Sequence, residues 1–319
     1  MNEFKSEFNT LGYIIKKSVK LLLVAHSRPD GDTIGSVLAM KEYLEDSGKI
    51  VDIACFDPFP SYLEKIALVS FSHPDQIDIK SYDSVIACDS ADRGFDKIKS
   101  LLSENQATAI IDHHPELLTD GDVNIIDPSF SSTCEIIYDY FNFANIKITK
   151  TIATYLMLGI SYDTGNFQHS NTSSRIIKIA SDLMKKGASL DKIAKVIFAN
   201  KKIATLKLWG KAFEKARINP KNGMIVSVIT QKNIQEFNAS PEDIGQLSSI
   251  LNTVPGTKFS LVLYERGNNI IKGSFRSEEY KGADVSAIAR QFGGGGHKLA
   301  SAFEIRGKII ETTNGWKIV

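Results

Sequence analysis

The chain reads as an α/β protein: a parallel-sheet domain, then a helical linker, then a smaller α+β domain. Three observations predict this. Over the first half, short β-branched runs alternate with helix-like segments, as parallel strands joined by crossover helices require. From Ser132 the pattern turns helical, and from Gly223 it returns to strands. A length of 319 residues suits about two domains.

Candidate strands in the first half are Leu21–His26, Val51–Cys55, Ser84–Cys88 and Thr108–Asp112, with Val123–Ile126 as a further one. Thr33–Asp46 reads as a helix stopped by Gly48. Ser132 and Glu135 have capping-box spacing, and Thr151–Tyr162 and Ser173–Lys186 continue the helical pattern. Asp191–Lys221 carries nine Lys or Arg against two acids, with Ile203, Leu206 and Phe213 forming a partial apolar stripe. That segment reads as a helical connector whose basic face is either simply solvated or an electrostatic funnel for an anion. Beyond it, Gly223–Thr230, Lys258–Tyr264 and Ile270–Phe275 read as strands and Asp284–Phe292 as a helix.

Composition narrows the function. Hydrophobic residues at 43% and charged residues at 24% are ordinary for a globular protein. A net charge of +1 gives no global affinity for long nucleic acid, so an anionic substrate has to be held locally. Cys55, Cys88 and Cys134 show no C-x-x-C spacing, which argues against a zinc ribbon or a disulfide framework. Met1–Thr10 lacks the basic start and apolar core of a signal peptide, and no apolar run approaches the ~20 residues of a membrane span. The expected setting is cytoplasmic, with no membrane partner.

Polar clusters follow three of the apolar strand candidates: His26, Asp30 and Asp32 after LLLVA, Asp89 after SVIAC, and Asp112, His113 and His114 after TAII. Ligands of open α/β sheets bind beyond the carboxyl ends of the strands, so these clusters are expected to converge. Asp163, in GISYDTGNF after an apolar helical segment, could complete the shell. Singly, each has a plain structural explanation: a satisfied core histidine, a turn, a helix cap. Jointly they are harder to dismiss, because His26, His113, His114 and His297, four of the six histidines, fall beside carboxylates or glycines. Ile34 at the next ligand position excludes an EF-hand, and no H-E-x-x-H is present. Imidazole and carboxylate without thiolate suit Mn²⁺ or a similar ion. Two such ions about 3.5–4 Å apart can share one water, lower its pKa towards ~7 and clamp the oxygens of an in-line displacement. His114 is then a candidate proton donor or oxyanion stabiliser.

Phe292–Lys298, FGGGGHK, is not a Walker A loop, since His297 separates Gly296 from Lys298. It reads either as a flexible hinge or, preferably, as a backbone at Gly295 and Gly296 that approaches an anion closely, with His297 at its edge. Arg276, in GSFRS, could clamp a phosphate in bidentate fashion or be a surface arginine on an edge strand.

With HSRPDGD, ACDS, DHH, SYDTG and GGGGH in this order, the chain resembles the DHH superfamily of phosphoesterases, most closely its nano-RNase and 3'-phosphoadenosine 5'-phosphate (PAP) phosphatase branch. The resemblance covers nearly the whole chain. It implies a catalytic domain over 1–186, a linker over 187–221 and a DHH-associated substrate domain over 222–319, with the active site in a cleft between domains. It further implies a first metal at His26, Asp30 and Asp89 and a second at Asp32, Asp89, His113 and Asp163, so that Asp89 bridges. Asp112 would support the site, His114 would act at the scissile phosphate, and Arg276 and His297 would grip the substrate. The implied cofactors are two divalent ions, Mn²⁺ first, with Mg²⁺ or Co²⁺ as substitutes. The implied substrates are RNA or DNA oligonucleotides of a few residues, trimmed from the 3' end, and PAP; a monomer and a homodimer are both compatible. One departure is visible: where the family often has A-G-F, this chain has Ser301-Ala302-Phe303, and the extra methyl bears on substrate preference. Arg93, soon after Asp89, could touch substrate or pair with an acid.

Other readings are a phosphodiesterase for cyclic di-AMP or linear dinucleotides, using the same centre, and a metal-dependent nucleotide sensor without turnover. An inorganic pyrophosphatase does not need a nucleotide cleft. A long-strand exonuclease would be expected to carry a further nucleic-acid module with an aromatic platform.

Overall fold

In the computed structural model the described residues are 4–66, 70–91, 93–115, 117–197, 201–312 and 315–319. The chain divides into two compact units, Met1–Asn200 and Lys201–Val319.

In the first unit β1 (Lys20–Val24), β2 (Ile50–Ala54), β3 (Ser84–Cys88), β4 (Ala107–Asp112) and β5 (Val123–Ile126) form an all-parallel sheet in the order β2-β1-β3-β4-β5. Parallel strands are covered on both faces, and the strand residues divide accordingly. Leu21, Leu23, Ile86 and Ile111 enter one core, Leu22, Val24, Val85 and Ile110 the other. Successive strands are added on one side of β1 (β2) and then on the other (β3, β4, β5), and this order has its ligand crevice where the connections from β1 and β3 diverge.

Six helices build the larger core: α1 (Lys5–Lys17), α2 (Gly31–Asp46), α4 (Thr133–Phe143), α5 (Lys150–Asp163), α6 (Ser174–Lys185) and α7 (Leu190–Ile197), while short α3 (Phe95–Lys99) lies in the smaller one. The periodicity of Phe8, Leu11, Ile14 and Ile15 makes α1, an element the polar start of the chain had concealed. Gly48 ends α2 as expected: its φ is +78°, and the N–H groups of Gly48 and Lys49 donate to Glu45 and Leu44. The expected capping box at Ser132 is only half formed. Ser132 caps α4 by accepting from the Glu135 N–H, but the Glu135 carboxylate turns to the N–H and hydroxyl of Ser131 and to Arg175.

Helices α2 and α5 cross closely because glycines face the contact. A methyl on Gly31 would meet Tyr162 at 2.6 Å, and one on Gly35 would meet the Tyr155 carbonyl at 2.5 Å. On α5, a methyl on Gly159 would stand 2.3 Å from Cys134 Sγ and 2.4 Å from Asp32 Oδ1. Gly159→Ala should therefore destabilise the metal-free protein by about 1–3 kcal/mol, the usual range for overpacking, and displace Asp32. Thermal unfolding checks this; an unchanged melting temperature would contradict it.

The second unit carries α8 (Ile203–Lys215), α9 (Gln231–Glu236), α10 (Leu247–Leu251) and α11 (Val285–Arg290). Its six-stranded mixed sheet contains β6 (Arg217–Asn219), β7 (Met224–Ile229), β8 (Phe259–Gly267), β9 (Ile270–Arg276), β10 (Gly295–His297) and β11 (Ala300–Arg306), in the order β10-β11-β9-β8-β7-β6. A separate hairpin pairs β12 (Ile309–Thr312) with β13 (Gly315–Ile318). Separate apolar clusters line the two faces of the larger sheet, one including Val262 and Tyr264, the other Leu261, Leu263 and Phe275. Of the expected connector 187–221, residues 198–200 lie outside the described residues. α7 packs into the first unit's core through Ile193, Val196 and Ile197, and α8 into the second's through Leu208, Trp209 and Ala212. The helix expected over Asp284–Phe292 is shorter, with Asp284 as its N-cap.

Candidate metal centre

Each polar cluster of the first unit begins where a strand ends or a helix starts. β1 stops at Val24, and His26 stands two residues on. Asp30 is the N-cap of α2, its Oδ1 accepting the N–H groups of Asp32 and Thr33. Asp89 follows β3 directly, with a left-handed backbone at φ +54°. This conformation is uncommon for a side-chain-bearing residue but one in which aspartate is enriched, and such strain gathers at functional sites. Asp112 ends β4, and Asp163 ends α5.

These side chains converge. His26 Nε2 lies 3.7 Å from Asp30 Oδ2 and 3.5 Å from Asp89 Oδ2. His113 Nε2 lies 3.1 Å from Asp163 Oδ2, 3.9 Å from Asp32 Oδ2 and 3.9 Å from Asp89 Oδ1. Both histidines turn Nδ1 to a main-chain carbonyl, His26 to Ser27 at 2.7 Å and His113 to Phe130 at 3.4 Å. With its proton on Nδ1, an imidazole offers an Nε2 lone pair, the arrangement typical of metal-binding histidine. His26 Nε2 is buried, and among the described residues no group lies within hydrogen-bond distance of it. A buried ring nitrogen faced by two carboxylates beyond hydrogen-bond distance has the donor chemistry to hold a cation between them.

Asp112 is fully buried; its Oδ2 accepts the Ala91 N–H at 2.8 Å, and its Oδ1 meets both the N–H and Nδ1 of His114 at 2.8 Å. It thereby orients His114 and braces the turn after Asp89. His114 Nδ1 is also 3.3 Å from Asp89 Oδ1. The donor set is nitrogen and oxygen throughout. The nearby Cys88 and Cys134 are pushed up by burial first and then by the surrounding aspartates, so they remain protonated thiols. A centre of imidazoles and carboxylates without thiolate fits a divalent metal ion.

Electrostatics reflect the crowding. Burial opposes charge at His26, His113, His114, Asp30, Asp32, Asp89 and Asp163. At His113 and His114 it is outweighed by Asp163 in one case and by Asp112 and Asp89 in the other, so the rings are pushed up to about 9 and about 12. His26 is raised in the same sense by Asp30. Asp32 and Asp163 are raised, by burial first and then by neighbouring carboxylates. Asp89 is held far below the usual carboxylate range despite its burial, by His114, His26 and His113, and Asp30 is lowered by His26.

These shifts fix a pH dependence for the metal-free protein. The raised histidines contribute stability that is complete below their ordinary value of 6.5 and is lost as pH climbs through about 9 and beyond. Raised Asp32 and Asp163 act in the same direction, whereas lowered Asp89 and Asp30 cost stability only as pH falls below 3.8. After chelator treatment the melting temperature should fall by several degrees between pH 6.5 and 9. Saturating Mn²⁺ should remove that fall, because ions bind the deprotonated ligands. Melts with and without Mn²⁺ check this, and a metal-free protein that gains stability over the interval would refute it.

In the second unit, Ser260, Arg276, Ala300 and His297 pair successively across β8, β9, β11 and β10. Cross-strand partners share a face, which sets Arg276 and His297 on one side with Ala300 between them, about 10 Å apart at strand spacing. Arg276 stands on an interior strand rather than an edge. The Gly295–Gly296–His297 segment is a paired strand, not a slack hinge. Two glycines of Phe292–Lys298 have an internal reason: a methyl on Gly294 would stand 2.1 Å from the Ala302 carbonyl, and Gly296 has φ +125° with the Ala300 carbonyl 2.7 Å from where its methyl would be. Ala302 pairs with Gly295 and Ser274, so its methyl lies on the Arg276 face. Arg93 presents its carbonyl to the Ser27 N–H, beside the loop that carries His26, and its charge is felt at both His26 and Asp30.

Sequence reasoning missed two threonines. Thr33 and Thr133 are fully buried, and their hydroxyls donate to the two oxygens of Asp89. The capping pattern accounts for Ser132 and so hides its neighbour.

The model of the DHH family's N-terminal domain matches residues 20–160, and that of the DHHA1 domain matches residues 221–313. The chain belongs to the DHH family and is a hydrolase of its phosphoesterase class. It is similar to the bifunctional oligoribonuclease and PAP phosphatase NrnA of Bacillus subtilis (strain 168), 28% identical over 294 residues and 89% of each chain. The protein of the same name from Mycoplasma genitalium is 28% identical over 299 residues, 92% of this chain and 91% of that one. Among solved structures, an exopolyphosphatase-related protein from Bacteroides fragilis shares the fold at a TM-score of 0.86 and 23% identity, over 95% of this chain and 92% of that one. No helix among the described residues is long and apolar enough to cross a membrane.

Proposed function

We propose that the chain is a two-ion phosphoesterase that hydrolyses RNA oligonucleotides of a few residues from the 3' end and converts PAP to AMP and phosphate. The observation that carries this reading is the pair of donor clusters that meet at Asp89, His26 and Asp30 on one side and Asp32, His113 and Asp163 on the other. The names of the relatives, oligoribonuclease and PAP phosphatase, support the substrate class.

In this reading His26, Asp30 and Asp89 hold one ion and Asp32, Asp89, His113 and Asp163 the other, with Mn²⁺ as the working metal. When bound, the ions acidify a water and neutralise charge on the phosphoryl oxygens. His114, kept cationic and oriented by Asp112, meets the phosphoryl group and supplies a proton or a charge-assisted hydrogen bond. Arg276 and His297, with the Gly295–Gly296 backbone, bind the substrate's phosphates, Arg276 through its planar fork. Binding by a few fixed groups rather than a broad basic field suits a short anion and agrees with the near-neutral net charge.

The test is a panel with purified full-length chain and Mn²⁺: PAP, a linear dinucleotide, cyclic di-AMP and RNAs of increasing length. Phosphate release from PAP and mononucleotides from the dinucleotide are expected. Turnover of neither rejects the proposal, and turnover of cyclic di-AMP alone replaces it with the cyclic-dinucleotide reading.

A further inference from the structure

We infer that Thr33 and Thr133 are a matched pair of positioning residues, each tying the carboxylate that serves one ion to the carboxylate that both ions share. The inference rests on the two-ion reading above, in which Asp30 serves the first ion, Asp32 the second and Asp89 both.

The two threonines repeat one pattern of hydrogen bonds. The Thr33 N–H donates to Asp30 Oδ1 at 3.2 Å, and its hydroxyl, 2.6 Å from Asp89 Oδ2, donates there. The Thr133 N–H donates to Asp32 Oδ2 at 2.6 Å, and its hydroxyl lies 3.2 Å from Asp89 Oδ1. In both, the main chain holds the carboxylate private to one ion while the side chain makes its shorter or sole contact with the shared one, the Thr33 hydroxyl standing also 3.3 Å from Asp30 Oδ1. The two act on opposite oxygens of Asp89. Each threonine sits in the first turn of its helix, α2 or α4, where main-chain N–H groups lack partners within the helix. The Cys134 N–H adds a second bond to Asp32, at 3.0 Å to Oδ1.

A carboxylate can rotate about its own bonds, and one meant to lie between two cations must keep its plane while either cation comes or goes. Two hydroxyl donors, one per oxygen, fix that plane. A hydroxyl has a single proton to give; that of Thr33 also lies 3.3 Å from Asp30 Oδ1, and the much shorter contact of 2.6 Å to Asp89 Oδ2 is the one that takes it. Both threonines are fully buried, so water is poorly placed to replace a donor that is removed. Groups that orient metal ligands in this way are typically worth about 10- to 100-fold in metal affinity.

Valine keeps the shape of threonine and the main-chain N–H but removes the hydroxyl, whereas serine keeps the hydroxyl. Thr33→Val, Thr133→Val and the two serine variants should be titrated calorimetrically with Mn²⁺ after chelator treatment. Crystals of each, soaked at limiting Mn²⁺, should be read by anomalous diffraction. The parent should take up two ions. Thr33→Val should weaken one ion about 10- to 100-fold and lose its peak beside His26 and Asp30, and Thr133→Val should lose the peak beside Asp32 and His113. Each serine variant should restore the parent's pattern, and metal-free melting temperatures should stay within a few degrees, which a purely structural role would not allow. If a valine variant does not fold, the alanine variant is measured in the same way. Parent-like uptake of both ions by the valine variants, loss of the same ion in both, or failure of serine to restore uptake overturns the pairing. A parent that binds fewer than two ions overturns the two-ion reading itself, and the pairing with it.

Discussion

Asp89→Ala should abolish high-affinity Mn²⁺ binding and lower kcat/KM on PAP by about 10³-fold or more, the largest effect of any single substitution in this chain. The loss of one oxyanion donor costs about 10²–10³-fold in enzymes generally, and in the proposed two-ion reading the change removes the shared ligand of both ions together with their charge neutralisation. Asp89 Oδ2 faces His26, and Oδ1 faces His113 and His114. Among the described residues no other carboxylate faces all three rings. Asp89→Asn is the control for folding, since it keeps the side-chain shape and an oxygen for one of the two threonines. Both variants should melt cooperatively without metal, and turnover with Mn²⁺ decides the matter. Parent-like activity in Asp89→Ala would show that the bridge is misassigned.

The second large effect is expected at His114. His114→Ala should lower kcat by about 10²–10³-fold, within the range of general acid–base contributions, while leaving Mn²⁺ affinity within a few-fold of the parent. The separation follows from the hydrogen bonds. His114 Nδ1 is committed to Asp112, and Asp112 would still accept the main-chain N–H groups of Ala91 and residue 114 after the ring is gone. The turn that carries Asp89 therefore keeps its brace. Steady-state kinetics paired with calorimetric Mn²⁺ titration distinguishes the outcomes: if metal affinity collapses along with rate, His114 is a ligand rather than a group acting on phosphate.

Much of this centre could be read from the sequence because its ligands follow apolar runs. LLLVA, SVIAC and TAII are buried strands, and a buried run that ends in His or Asp marks the carboxyl edge of a parallel sheet. The strand order that brings His26 next to Asp89 was not legible, because pairing of distant strands leaves no periodicity in either. Thr33 and Thr133 escaped for a different reason: a buried threonine in the first turn of a helix looks like helix capping, and only the position of Asp89 shows where its hydroxyl goes. In the second unit FGGGGHK suggested a flexible or ligand-approaching loop. The collision that a methyl at Gly294 would have with Ala302 depends on the β10–β11 register, which composition does not encode. Likewise α1 was obscured by its charged face, although the apolar spacing of Phe8, Leu11, Ile14 and Ile15 was present.

The first-unit side chains that gather around Asp89 are contributed by segments from His26 to Asp163, and no short stretch supplies more than part of them. A chain still emerging from the ribosome thus has no complete cage until the helix ending at Asp163 has been made and has docked. Metal capture should consequently be a late event in maturation, a receipt for finished topology rather than a nucleus that starts it.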